Sequence, residues 1–342
     1  MISDTNKEYS WRRLVPGLLI SAVCLAIVFW LSKPKELLQA LKLADLRLVA
    51  LGVLMTVFWL LVRAQVWREL LQGKPTFDQA FFTVSEGYLL NNLLPFRLGE
   101  IARSLLMSQK IRTPFWEVFS TVVVERLLDL IMATSLLFIS LFFVVGANWA
   151  WKAAVGMGVV VLLGLGLLYF AAIRWKELIR LFQKMTSRWS KGSEFIGKQL
   201  LAFFTGLSVL TQPWRFLRIV LYMILNWGLA ILQYYVFLKA FSPTASLLQS
   251  SFALGVASLG IAAPSSPGSI GVFELAVVTG LAVFSLTPTL ALAYALTMHF
   301  LGILTTGILG SIGLARDGET LSSLYNRARS VTRKAEPSVD TE

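Results

Sequence analysis

Between residues 240 and 315 the chain runs 76 positions with one formal charge, Glu274. No soluble domain has a surface that could be built from such a stretch. The whole sequence agrees: of 342 residues, 56% are hydrophobic and only 15% charged. Residues 14–32 supply 19 uncharged positions and residues 153–173 supply 21, each enough for the roughly 20 residues a helix needs to cross a bilayer. The pattern predicts an all-α polytopic membrane protein, with apolar segments at 14–32, 48–67, 79–94, 98–109, 116–145, 150–173, 216–238, 246–263, 271–285 and 289–313.

Arg12 and Arg13 precede the first apolar stretch as they would in a signal peptide, but the stretch is long and ends in Ser32-Lys33-Pro34 with no A-x-A site. A retained anchor is the expectation. The single Cys24 lies inside it and has no partner for an intramolecular disulfide. The net charge of +12 would suit nucleic acid, yet the basic residues flank apolar spans, as the positive-inside rule describes. Anionic inner-leaflet lipids are the expected partner, and nucleic acid is not.

Two pairs of segments are too short and too close to be ordinary spans. The pair 79–94 and 98–109 is split by the polar run "NNLLPFRLGE", and the pair 246–263 and 271–285 by "PSSPGSIG". Each pair reads as a re-entrant helical hairpin, leaving about six full spans. With the N-terminus inside, 22 of the 31 basic residues, Arg63 among them, fall on the cytoplasmic side and six outside; Arg97, Arg103 and Arg126 lie at membrane depth. Both termini are then cytoplasmic, and the plasma membrane is the expected location. The two hairpins enter from opposite faces, which predicts an inverted-repeat architecture with halves at 14–173 and 174–315. Residues 1–315 form one domain. Residues 174–198 predict an interfacial amphipathic helix, and 316–342 a basic, disordered tail.

The chemistry gathers at the hairpins. Backbone that leaves a helix at membrane depth must find its hydrogen bonds in protein or a wet cavity. Pro95 is expected to end the first arm, Gly99 to permit the reversal, and Asn91 and Asn92 to satisfy freed backbone groups. Arg97 and Arg103 bring positive charge, with Glu86 and Glu100 as compensation. In "VVVERLLDL", Glu125 and Asp129 share a helix face four residues apart, with Arg126 beside it. A lone charge at the bilayer centre costs about 2.5–3.5 kcal/mol on insertion scales, so this cluster needs a reason. It forms either a closed ion-pair network or a cavity for an anionic group such as a lipid phosphate, and the two can coexist. In the second hairpin, Pro267, Gly268, Ser269 and Gly271 form a broken tip whose amides suit an anion. Glu274 is a protonatable residue or the partner of an arginine across the repeat. His299, the only histidine, reads as a satisfied packing residue, and Gly302, Thr306 and Gly310 as a helix-packing stripe.

Together "NNLLPFRLGEIAR", "VVVERLLDL" and "PSSPGSIGVFE" resemble the lysylphosphatidylglycerol synthase transmembrane-region family, also called flippase-like domain proteins. The family's P-x-R-x-G-E-x-x-R pattern falls on Pro95, Arg97, Gly99, Glu100 and Arg103. Its E-R-x-x-D pattern falls on Glu125, Arg126 and Asp129, and its P-G-G-x-G-x-x-E pattern on Pro267, Gly268, Gly271 and Glu274, with Ser269 in place of the second glycine. The resemblance implies a membrane module associated with lipid translocation, joined in some members to a cytosolic aminoacyl-lipid synthase. Only 27 residues follow Ala315, so that domain is not expected here. There is no Walker A or dinucleotide pattern, and no cofactor or metal is expected. The expected function is binding and translocation of an anionic phospholipid or lipid-linked precursor. The rivals are a membrane-embedded lipid transferase and an accessory subunit of a separate lipid-synthesis enzyme.

Overall fold

The computed structural model describes residues 33–94, 97–145, 190–261 and 267–318, with isolated residues between 22 and 30 and between 159 and 180. Most of the predicted spans 14–32 and 150–173, Pro95 and the 316–342 tail beyond Gly318 therefore lie outside the described residues, as does most of the predicted 174–198 helix. Among the described residues the chain is helical throughout, without β-strands. The helices are α1 (Pro34–Leu43), α2 (Leu46–Leu70), α3 (Phe77–Leu93), α4 (Leu98–Lys110), α5 (Phe115–Val145), α6 (Ser190–Leu207), α7 (Pro213–Phe241), α8 (Leu247–Gly260), α9 (Val272–Ala282) and α10 (Pro288–Asp317). Four of these, α2, α5, α7 and α10, are long and apolar enough to cross a membrane. The sequence expectation missed α1, which was read as part of an outside loop. It is a short helix whose Leu37 is buried, packed beside α10.

Local chemistry sets the boundaries. Asp45 caps α2 through the amides of Arg47 and Leu48. Thr76 and Gln79 form a capping box at the start of α3, and Ser246 and Gln249 form the same box at the start of α8. Pro288 sits in the first turn of α10 behind the Thr287 cap. The first arms of the two short-helix pairs thus begin with the same reciprocal device.

Each short pair folds back on itself. In the first, Gly87 lies against Arg103 and Gly99 against Asn91; in the second, Gly260 lies against Ala276 and Gly280 against Val256. Residue numbers rise on one arm as they fall on the other, so both pairs are antiparallel helical hairpins. The sequence reading placed the first reversal at Gly99, and the structure corrects this. Arg97 takes the left-handed conformation, at φ 53° and ψ 37°, while Gly99 is already inside α4. Gly99 is required for space. A Cβ there would run into the carbonyl oxygen of Gly87 and the side chain of Asn91. At the second tip, Gly268, Ser269 and Gly271 all have positive φ. Ser269, at φ 55°, therefore keeps the left-handed backbone at the position where the family pattern carries glycine.

The long helices arrange these hairpins. α2 and α7 run antiparallel over their full length: the Asp45 amide donates to the Ala240 carbonyl at 3.0 Å, Gln233 donates to Thr56 at 2.8 Å, and Arg218 pairs with Glu69 at 3.4 Å. The first hairpin leaves from the C-terminal end of α2, and the second from the C-terminal end of α7. Because those ends are opposite, the hairpins approach each other and their tips meet. Arg97 donates to the carbonyl of Ile261, and Gly268 lies 3.7 Å, measured from its ideal Cβ position, from the carbonyl oxygen of Asn92. The packing is reciprocal as well. α3 packs on α10 and α5 on α8, so exchanging α2–α5 for α7–α10 leaves the set of main packed pairs unchanged.

Close approach carries this packing. Gly310 faces Ser85 and Leu89 of α3, and Gly313 faces Glu86. Gly99→Ala should cost about 1–3 kcal/mol by overpacking the hairpin. Gly307→Ala, which meets nothing within 4 Å, should be neutral or slightly stabilising. Thermal unfolding of the two purified variants in detergent checks the difference; equal midpoints would contradict the close-packing role of Gly99.

Candidate functional site

Beside the meeting point of the tips lies a cavity of about 460 Å³, lined by residues from α2, α3, α5, α7, α8, α9 and α10 as well as by Arg97. Its walls are largely apolar and aromatic, with Trp59, Tyr88, Trp227 and Phe273 among them. The charged groups on its rim belong to a larger buried network.

That network joins α2, α4 and α5. Arg63 bonds to Asp129 through both terminal nitrogens and lies 2.6 Å from Glu125. Arg103 lies 2.6 Å from Glu100 and 3.1 Å from Glu125. Arg126 reaches Glu125 at 2.8 Å, Asp129 at 3.3 Å and Glu100 at 3.5 Å. The side chains of Arg63 and Glu125 are only 2% and 0% exposed. Three guanidinium groups therefore meet three carboxylates, and the cluster is neutral as a unit. Burying one such ion alone costs several kcal/mol even after relaxation; mutual pairing with extra hydrogen bonds offsets that cost. The guanidinium of Arg103 also sits 4.8 Å from the ring centre of Trp67. Gly87 makes room for it, since a Cβ there would lie 2.9 Å from the arginine side chain.

Arg63 was placed by the sequence reading with the cytoplasmic residues near the end of α2. It is instead a buried member of this network. Position in a hydropathy plot carries no information about which neighbouring helix turns two carboxylates toward it. Glu86 was expected to compensate Arg97 and Arg103. It is buried elsewhere, 3.6 Å from Lys110, which also pairs with Asp317 at 2.5 Å. Asn91 and Asn92 were expected to satisfy freed backbone groups. The Asn91 amide donates to Glu100 at 3.4 Å and Asn92 donates to Thr306 at 3.0 Å, so both engage side chains.

Arg97 stands apart. No carboxylate lies within ion-pair distance of it among the described residues, and its side chain lines the cavity. Pro267, Gly268, Ser269 and Gly271 form the opposing tip. Glu274, just beyond, accepts the Gly271 amide at 2.6 Å through one oxygen and meets Nδ1 of His299 at 2.6 Å through the other. The expected alternative of an arginine partner for Glu274 is thus overturned: its partner is the histidine of α10. Gly302 and Thr306 line the cavity, whereas Gly310 packs on α3, so the small-residue stripe divides between two tasks.

Long apolar helices and two hairpins, with a cavity rimmed by charged groups between them, define a helical integral membrane protein. The chain belongs to the lysylphosphatidylglycerol synthase TM region family, whose sequence profile matches residues 14–310. It is 26% identical over 282 residues to the UPF0104 membrane protein PH1989 of Pyrococcus horikoshii, covering 75% of this chain and 83% of that one. It is 25% identical over 337 residues to a protein named glycosyltransferase AglD of Haloferax volcanii, covering 88% of this chain but 53% of that protein. The chain thus spans about half the length of the latter relative. No solved structure matches it.

The network and Arg97 should separate on mutation. Arg63→Ala leaves Glu125 and Asp129 short of a cation and should cost about 3–5 kcal/mol. Arg97→Ala strands no carboxylate and should change stability by less than about 1 kcal/mol. Thermal unfolding of both variants in detergent tests this, and an equally large loss for Arg97→Ala would place that residue in the structural network.

Proposed function

We propose that this protein binds an anionic phospholipid or lipid-linked precursor by its phosphate and moves it across the bilayer. The observation that carries the reading is the charge balance at the chamber. Three arginines and three carboxylates neutralise one another, and the remaining guanidinium, Arg97, faces a cavity walled by apolar and aromatic side chains. A guanidinium there offers an oriented fork to phosphate oxygens, and the apolar wall accommodates the lipid part.

The architecture that suits this activity is an inverted repeat. In that reading, α2, α5, α7 and α10 join the apolar segments 14–32 and 150–173 as six spans, and α3–α4 and α8–α9 are re-entrant hairpins from opposite faces. The antiparallel course of α2 and α7, the returned packing pairs and the meeting of the tips support it. So do the lengths of α4, α8 and α9, 13, 14 and 11 residues, or roughly 17–21 Å against a ~30 Å hydrocarbon core. Alternating exposure of a site held between two such repeats is a physical route for a headgroup. The excess of basic residues on one side supports cytoplasmic termini.

A transferase acting within the membrane is the second reading, favoured by the name of the relative from Haloferax volcanii. Against it, Glu100, Glu125 and Asp129 are each held by arginines and poorly placed to accept a substrate proton. Reconstituted vesicles containing a fluorescent phosphatidylglycerol, quenched from outside by dithionite, test the proposal. Native protein should move the lipid, and Arg97→Ala should slow this at least tenfold at unchanged stability. Equal rates would remove the phosphate site. Single cysteines at Lys74 and Pro288 in a Cys24→Ser background should label from the cytoplasm and the outside respectively; labelling of both from one face contradicts the opposed hairpins.

A further inference from the structure

The Glu274–His299 pair lies at the cavity and is not part of the arginine–carboxylate network. One oxygen of Glu274 accepts a backbone N–H, so that oxygen is committed as an acceptor. The other sits 2.6 Å from Nδ1 of His299; with Glu274 ionised, Nδ1–H is the donor of that bond. Nε2 is then the nitrogen at which a proton comes and goes, and it has no hydrogen-bond partner among the described residues. Phe273 packs against the imidazole, with ring centroids 4.4 Å apart, and the histidine side chain keeps 15% of its exposure while lining the cavity.

We propose that His299 is the proton-binding member of the phosphate site, taking up a proton at Nε2 as the anion enters, with Glu274 as its positioning residue. The inference rests on the reading of the cavity as a site for an anionic phosphate group. Imidazole is the side chain whose charge ordinarily changes between about pH 5 and 8. The charged groups that share the cavity are Arg63 from α2, Arg97 from the first tip, and Arg126 and Asp129 from α5. The titratable phenols of Tyr88 from α3 and Tyr234 from α7 line it too. α1 meets α10 at Thr289, well over two helical turns from His299, through the backbone amide of Lys33. Of the groups lining the cavity, Arg63, Arg126 and Asp129 are already paired. The proton state of His299 therefore decides whether an arriving anion meets Arg97 beside a Glu274–His299 pair of net charge −1 or beside a neutral pair that offers an Nε2–H donor.

The direction follows from linkage. A bound anion favours the imidazolium, so it raises the histidine's titration point. Affinity is then full below the titration of the empty site. It falls by less than tenfold per pH unit as pH rises above that point, in proportion to the fraction of a proton taken up, and levels off beyond the titration of the occupied site.

Dioctanoyl phosphatidylglycerol is a suitable probe because its phosphodiester keeps one negative charge over this range. Calorimetric titration of the native protein in detergent, in two buffers of different ionisation enthalpy, counts protons taken up per lipid bound. The expected result is a fraction of one proton, with a maximum between about pH 5 and 8. His299→Gln retains an N–H for Glu274 but cannot titrate; it should bind with no proton uptake and a flat pH profile. Glu274→Gln should keep the uptake but move its maximum to lower pH, because the imidazolium loses its carboxylate. Binding by the native protein without proton uptake at any pH overturns the role of His299 and leaves the phosphate site standing. Uptake that persists unchanged in His299→Gln overturns it too. Absence of binding at every pH overturns the phosphate site itself.

Discussion

Charge neutrality within a buried cluster is the constraint on which this structure depends. α2, α4 and α5 each bring an arginine to the interior, and α4 and α5 bring the three carboxylates. None of these helices could bury its own charges in an apolar surrounding; together they form a unit with equal numbers of both signs. The pairing fixes the second arm of the first hairpin against two long helices, and with it the position of the tip. A consequence is chemical selectivity within the cluster itself. Arginines whose geometry is taken up by carboxylates are poor anion receptors, which is why the proposed function assigns the phosphate to Arg97, outside the cluster.

The two tips solve one steric problem by different means. The first turns on a left-handed arginine and then needs Gly99 to slip beneath the carbonyl of Gly87. The second turns on Gly268 and Ser269, and its helix begins at Gly271 with Glu274 folded back as the cap. The same carboxylate holds His299, so the second tip couples its own fold to the last long helix. The chamber is thus bounded by a tip that carries Arg97 and a tip whose capping carboxylate, Glu274, also holds His299.

Much of this was legible in the sequence because hydropathy and helix punctuation are local. The bounds of α2, α3, α4, α5, α7, α8, α9 and α10 depart by only a few residues from those expected of the apolar runs. The family motifs named five of the six side chains of the charged cluster, all but Arg63, and residues of both tips. What was not legible depends on facing. Arg63 looked like a helix-end residue, and only the packing of α2 against α5 brings it to Asp129. Glu86 looked like a partner for Arg97, but the antiparallel course of α3 and α10 turns it toward Gly313 and Lys110. His299 reads from sequence as a packing residue; its bond to Glu274, 25 residues earlier, required the register between α9 and α10. α1 escaped notice because its basic residues resembled an outside loop.

The central claim is that the unpaired guanidinium at the first tip holds a lipid phosphate between the two hairpins. An experimental structure in nanodiscs containing phosphatidylglycerol tests it most directly. The account predicts phosphate density within hydrogen-bond distance of the Arg97 guanidinium, inside the cavity, with the Arg63, Arg103 and Arg126 pairings intact. Phosphate bound instead by those three arginines, with their carboxylates displaced, or a cavity closed by Arg97 pairing with a carboxylate, would contradict it.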